Sequence, residues 1–306
     1  MRRVYLDYNA TTPTRKEVID EMLPYFDRIY ANPETLHSFG QEAGEALDTA
    51  RQKVAKLINC TPNELYFTSG GSEANNMFIK GVALRHLEKK GHIITSAIEH
   101  SAVLNVVRFL VNKFGFEATY IEPDGNGVVS PADFEKAIRP DSFIASIMYV
   151  NNEVGSIQPI REMAKIAHEH NILFHSDTVQ AFGKLPVDVE KLGVDGASAS
   201  AHKFYGPKGV GFLYLKKGTM ITSLIHGGGH ERNRRAGTHN VPGIVGLAKA
   251  LELGYAELED EGKRLKRLSS LLIDKITERI PDVYLNVDRE KAVANTVSLS
   301  FRGVEG

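Results

Sequence analysis

The sequence predicts an α/β fold. A large domain with a mostly parallel sheet flanked by helices is joined to a smaller α+β domain, incomplete in this chain. Three observations predict it. Strand-like and helix-like patterns alternate along most of the 306 residues, as βαβ units require. Phe143 to Val150 is a nearly unbroken apolar run, typical of a strand buried on both faces. Polar clusters follow several strand-like runs, and open α/β sheets bind ligands at the carboxyl ends of their strands.

The elements follow in order. Ala43, Ala46, Leu47, Ala50, Val54 and Leu57 recur at three- and four-residue intervals, the spacing of one buried helix face. Glu64 to Thr68 reads as a strand, Ala74 to Lys90 as a helix, and His92 to Ala97 and Ala118 to Ile121 as strands. Ser130-Pro131 opens a helix with a serine cap and a proline at the first helical position. A helix over Arg161 to His170 precedes strands at Ile172 to His175, Ala197 to Ala201 and Val210 to Leu215. Pro242 to Ile280 is a charge-rich helical stretch with a break expected near Gly262. Val283 to Val287 and Thr296 to Phe301 read as strands, and residues 302–306 as a turn. The expected division is a large domain over 13–250 and a small one made of 1–12 and 251–306.

Composition narrows the function. The net charge of −1 gives no electrostatic footprint for nucleic acid or an anionic membrane. A single cysteine, Cys60, rules out a disulfide within this sequence and fits a reducing compartment. Residues 1–7 turn polar too soon for a signal peptide, and no apolar run reaches membrane-spanning length. The expected location is cytoplasmic. No Walker-type loop occurs, and no G-x-G-x-x-G follows an early strand.

Four clusters have the residue types for chemistry. Ser69-Gly70-Gly71-Ser72-Glu73, between a strand and a helix, suits a phosphate cradle or a plain capped turn. Asp177 directly follows a buried strand, as a helix cap, a metal ligand or an anchor for a cofactor's ring nitrogen. Ser200-Ala201-His202-Lys203 places a lysine at a strand end, the setting for Schiff-base chemistry; Lys208, in a Gly-Pro-Lys-Gly turn, is its rival. His100 also follows a strand, suited to stacking on an aromatic ring and to proton transfer, or to a structural role. His226 and His230 flank three glycines that disfavour a shared helical face, so no metal site is expected there. Cys60 reads as a buried hydrophobe.

Together and in order, these motifs resemble the cysteine desulfurases (NifS/IscS-like), a branch of the class V aminotransferase group within pyridoxal-phosphate (PLP) fold type I. The resemblance rests on Tyr5-Leu6-Asp7-Tyr8-Asn9-Ala10-Thr11-Thr12, Asn32-Pro33, His37, the Phe67–Asn76 run, Glu99-His100, Val150–Gly155, Asp177 with Gln180, Ser200–Lys208 and His226–Thr238. It implies that Lys203 holds PLP as a Schiff base, Asp177 pairs with the pyridine nitrogen and Gln180 bonds the ring hydroxyl. His100 would stack on the ring as an acid/base, and Asn152 would lie near the substrate. Gly71, Ser72, Ser200 and His202 would bind the phosphate. Thr238 would reach the phosphate of the partner subunit's cofactor, which implies a homodimer. The implied reaction takes sulfur from L-cysteine, giving L-alanine and an enzyme persulfide for an iron–sulfur scaffold or another sulfur acceptor. A selenocysteine lyase, a small-substrate aminotransferase or a non-catalytic assembly partner are the alternatives on this scaffold. The family's reactive cysteine and substrate-carboxylate arginine belong beyond the strand matching 296–301, so a C-terminal continuation carrying them is expected.

Overall fold

The computed structural model describes residues 3–304; residues 1–2 and 305–306, the ends of the expected small domain and of the expected final turn, lie outside the described residues. Nine strands are described: β1 (Leu65–Thr68), β2 (His92–Ser96), β3 (Glu117–Ile121), β4 (Ser142–Ser146), β5 (Leu173–Asp177), β6 (Gly196–Ser200), β7 (Gly211–Leu215), β8 (Val283–Leu285) and β9 (Leu299–Phe301). The first seven form one sheet in the order β1-β7-β6-β5-β4-β2-β3. From β6 to β3 every neighbouring pair is parallel, and β7 runs antiparallel to both β6 and β1. This is the mostly parallel α/β sheet that the sequence predicts. β8 and β9 make a separate antiparallel pair.

Helices cover both faces, as a buried parallel sheet demands. On one side Phe78, Ile79 and Val82 of the Gly71–Ala83 helix pack with Val103, Val107 and Leu110 of the Ser101–Phe114 helix over Ile93, Ile144 and Leu213. The approach is close: a Cβ on Gly196 of β6 would stand 2.3 Å from the Phe78 ring. On the other side the Ser38–Ile58, Ile160–Glu169 and Val241–Ala256 helices close over Phe134, Phe174 and Phe212.

The elements depart from expectation in three places. The helix expected from Ala74 begins at Gly71 and ends at Ala83, followed by a short 3-10 turn over Leu84–His86. β4 stops at Ser146, although Ile147, Met148 and Val150 stay buried; burial continues where the regular ladder ends. The break in the long C-terminal helical stretch falls at Glu257, between the Val241–Ala256 and Leu258–Arg279 helices, where the Glu257 carboxylate takes a bidentate ion pair from Arg15. Gly262 lies inside the second helix. We keep the two-domain division at 250/251 as a proposal; that point falls within the Val241–Ala256 helix.

One buried ion pair locks the first large helix to the loop before Asn240. Arg51 reaches Glu231 through two hydrogen bonds, of 2.6 and 2.9 Å, and also donates to the Leu65 carbonyl. Glu231 also accepts from the Phe67 N–H and from His239. Burial opposes ionisation of Glu231, but the bonds from His239 and Arg51 prevail and hold its carboxyl at about 2.

Two expectations follow. Glu231→Ala leaves Arg51 charged and uncompensated, and should lower unfolding free energy by ~3–5 kcal/mol in urea titrations at neutral pH. A Cβ on Gly262 meets nothing within 4 Å, so Gly262→Ala should raise stability by up to ~1 kcal/mol through helix propensity alone.

Candidate active site

Parallel strands deliver their carboxyl ends to one edge, and the side chains singled out in the sequence gather there. A cavity of about 280 Å³ is lined by Gly71, Ser72, His100, Asn152, Asp177, Gln180, Ser200, His202 and Lys203, together with Asn75 and Ala10. Thr238 is the one expected site residue outside it, exposed on the loop before Asn240.

The connection between β6 and β7 is the part of the sheet where an antiparallel return replaces a helical crossover. It carries Ser200, His202 and Lys203 at the cavity rim. Lys203 Nζ donates to the carbonyls of Asn9 and Ala10, the latter at 2.9 Å. Burial lowers the Lys203 pKa, opposed by the charges of Asp177, Asp7 and Glu153. The rival, Lys208, is exposed and does not line the cavity.

Asp177 ends β5 and is 4% exposed. Its Oδ2 accepts from Asn75 Nδ2 at 2.7 Å and its Oδ1 from the Val179 N–H at 3.0 Å. Burial raises its pKa; the Asn75 and Val179 bonds oppose that rise. A cation in the cavity would favour the ionised form further.

At the other end, Gly70 takes φ +152°, a conformation reserved for glycine, and leads into the N-terminus of the Gly71–Ala83 helix. A Cβ on Gly71 would stand 2.5 Å from Val179 Cγ2, so only glycine lets the backbone sit this close. The free N–H groups and dipole there favour an anion. His202, lowered to about 4 by burial and then by the charges of Lys203 and Lys208, is neutral at pH 7. Its Nδ1 lies 3.1 Å from Thr11 Oγ1. His100 caps the Ser101–Phe114 helix, its Nδ1 accepting from the Ala102 N–H at 3.1 Å, so a neutral ring carries its proton on Nε2.

Three participants carried no assigned role in the sequence. Asn75 holds Asp177. Asn9 accepts from Gln180 Nε2 at 2.9 Å as well as from Lys203, and donates to the Asn152 carbonyl at 3.2 Å. Lys184 donates to Gln180 Oε1, and burial, then the charge of Lys203, draws its pKa to about 7. Asn75 and Asn9 stand in the quoted motifs; the signal available was their adjacency to Ser72 and Ala10. Lys184 gave none, because a lysine's burial is not written in its type.

The Aminotransferase class-V family profile matches residues 4–306. Cysteine desulfurase IscS of Dictyoglomus turgidum is 52% identical over 305 residues, covering 100% of this chain and 77% of that protein. Cysteine desulfurase IscS of Methanosarcina thermophila is 48% identical, covering 100% and 75%. A solved structure described as a NifS-like protein superposes with a TM-score of 0.96 at 44% identity, covering 99% of this chain and 83% of that one. SspA in complex with cysteine gives 0.89 at 39% identity, covering 98% and 84%. A parallel sheet with a lysine, a buried aspartate and a glycine-lined helix N-terminus converging at its edge thus defines a class V aminotransferase fold, whose members depend on PLP. Within that class, this chain belongs to the cysteine desulfurase family.

Glu99, beside His100, is buried, and its Oε1 accepts from Ser96 Oγ and the Met148 N–H. Burial pushes its pKa up to about 8, against those bonds. The folded protein therefore binds a proton there that the unfolded chain releases near 4.5. That contribution to stability is full below about 4.5 and is lost as pH rises toward about 8. Glu99→Gln should flatten the fall in unfolding free energy across this window in urea titrations; an unchanged slope would assign it to other groups.

Proposed function

We propose that this chain carries the PLP site of a cysteine desulfurase, which removes sulfur from L-cysteine to give L-alanine and an enzyme persulfide for iron–sulfur cluster assembly or another sulfur acceptor; the thiol that takes the sulfur is not Cys60, the one cysteine of this sequence. The observation that carries the proposal is the convergence of Lys203, Asp177, His100, Gln180 and the Gly71–Ser72 helix start on one cavity. The relatives named cysteine desulfurase and the neighbour in complex with cysteine support the substrate.

The residues present fit PLP. Lys203 would hold it covalently, Asp177 would face its pyridine nitrogen and Gln180 its ring hydroxyl. Gly71, Ser72, Ser200 and His202 would take the phosphate. When bound, PLP supplies an electron sink beside the substrate Cα. Asp177, anchored by Asn75, keeps a fixed negative charge against that ring. Lys203 Nζ, its pKa lowered by burial, is the group suited to take the Cα proton of L-cysteine. His100, with Nε2–H directed from the helix cap, would stack over the ring and donate or accept a proton. Asn152, which lines the cavity, would lie near the substrate.

A homodimer is part of the proposal: exposed Thr238 would complete the phosphate site of a partner subunit. A cytoplasmic location is proposed too, supported by the lone cysteine; among the described residues no helix is long and apolar enough to cross a membrane.

Cys60 plays no part in this reading. It is half-buried at the end of the Ser38–Ile58 helix, outside the cavity, and burial followed by the charge of Glu64 holds its pKa at about 12. The test is a visible spectrum with borohydride reduction and peptide mapping, followed by alanine release from L-cysteine. Reduced cofactor should map to Lys203. Lys203→Ala should lower alanine release by about 10²–10⁴-fold, in line with loss of a positioned proton-transfer group, with Lys208→Ala and Cys60→Ser unchanged. A protein that gains no colour with added PLP would sink the proposal.

A further inference from the structure

Outside the cavity, the segment after Pro33 meets the loop before Asn240 at Glu34, His230 and His239. One carboxylate oxygen and one ring nitrogen from each histidine lie within 4.8 Å of one another. His239 is the informative member. Its side chain is 5% exposed, and its Nε2 stands 2.8 Å from Glu231 Oε1. Glu231 is ionised and can only accept, so Nε2 carries the proton, and in the neutral ring Nδ1 presents its lone pair. That Nδ1 is buried with no hydrogen-bond partner among the described residues. Glu34 Oε1 faces it at 3.6 Å, too far for a hydrogen bond and of the wrong character, since a lone pair meets an anionic oxygen.

A cation between the two atoms removes the conflict. We propose that Glu34, His230 and His239 form a site for a divalent transition-metal ion, zinc by preference, with water as fourth ligand. Two imidazoles and a carboxylate are donors that suit zinc. With metal–ligand distances of about 2.0–2.1 Å, tetrahedral donors stand about 3.3 Å apart. The 3.6 Å pair nearly meets that spacing, and Glu34, 53% exposed, is free to rotate to close the rest. The carboxylate behind His239 is the outer-sphere partner that metal-bound histidines usually have; it fixes the tautomer and raises the basicity of the ligating nitrogen. His226, weighed with His230 from the sequence, is not in this cluster; the partner of His230 comes instead from nine residues further on and from the distant Glu34. Because His239 follows Thr238, the ion would pin the loop that presents that threonine.

The test is zinc retention by the PLP-loaded protein. The protein is equilibrated with Zn²⁺, dialysed against metal-free buffer and measured by plasma mass spectrometry. The expected result is one zinc per chain, falling at least tenfold in Glu34→Gln and in His230→Asn and unchanged in His226→Asn, with equal PLP content throughout. Co²⁺ loading should give visible tetrahedral ligand-field bands that both site variants lose. Zinc absent from the parent protein, or retained equally by all variants, overturns the proposal. Glu34 is at the surface, so Glu34→Gln reports on metal binding without a folding defect, and circular dichroism checks this.

Discussion

The Arg51–Glu231 pair is the constraint on which the geometry around the sheet edge depends. A charge inside a protein is tolerable only when its partner and its remaining lone pairs are satisfied. Here the carboxylate receives Arg51 twice, the Phe67 N–H and His239. The helix that supplies Arg51, the strand that leads into Ser69–Glu73 and the loop that ends at Thr238 are thereby tied to one anion. Glu231 pays for this with a left-handed backbone, φ 45°, a conformation that persists only where the surroundings over-determine it. Arg235 gives the same loop a second anchor, its Nε reaching Glu73 Oε1 at 2.8 Å on the Gly71–Ala83 helix. The loop is therefore held on two sides by ion pairs, while its tip stays exposed.

The chemistry at the sheet edge is a division of labour between buried and rim positions. Asp177 and Glu99 both sit under the surface, yet they are treated differently. Asp177 meets the cavity and keeps hydrogen bonds on both oxygens, whereas Glu99 Oε2 has no partner among the described residues. The first environment favours an anion once a cation arrives; the second favours a neutral acid. Beneath Asp177 on β5, His175 bridges Ser146 and Ser198 across neighbouring strands and is held neutral, at about 3, by burial. It braces the strand from which the aspartate projects, as His92 on β2 crosslinks Ser142 and Thr119 of its neighbouring strands.

Much of this was legible in the sequence, for identifiable reasons. Alternating periods revealed the sheet because most strands are short runs of small or apolar residues, several of them followed by a polar cluster. Gly70-Gly71 announced a close backbone approach because no other residue fits there. The choice between Lys203 and Lys208 was beyond residue type and rested on resemblance; the fold separates them by turning one into the cavity and the other to solvent. The helix break was misplaced because Gly262 has low helix propensity, but a single glycine inside a long helix is tolerated there, while the tertiary pair of Glu257 with Arg15 coincides with the bend. Asn75, Lys184 and the Glu34–His230–His239 cluster act through contacts between segments far apart in the chain, which local pattern does not encode.

Asn9 has a consequence in time rather than in space. Its backbone carbonyl receives Gln180 and Lys203, and its side chain reaches Thr296 and Asn295 near the far end of the chain. Thr12 and Arg15 add backbone bonds to His202 and Tyr205. An N-terminal segment whose partners are all made later cannot dock as it leaves the ribosome. It must wait, solvent-exposed, until the lysine loop and then residues 295–296 have been synthesised. The wall that Ala10 lends the cavity is thus fixed through its neighbour Asn9 by residues 295–296, which are made after every residue that lines the cavity.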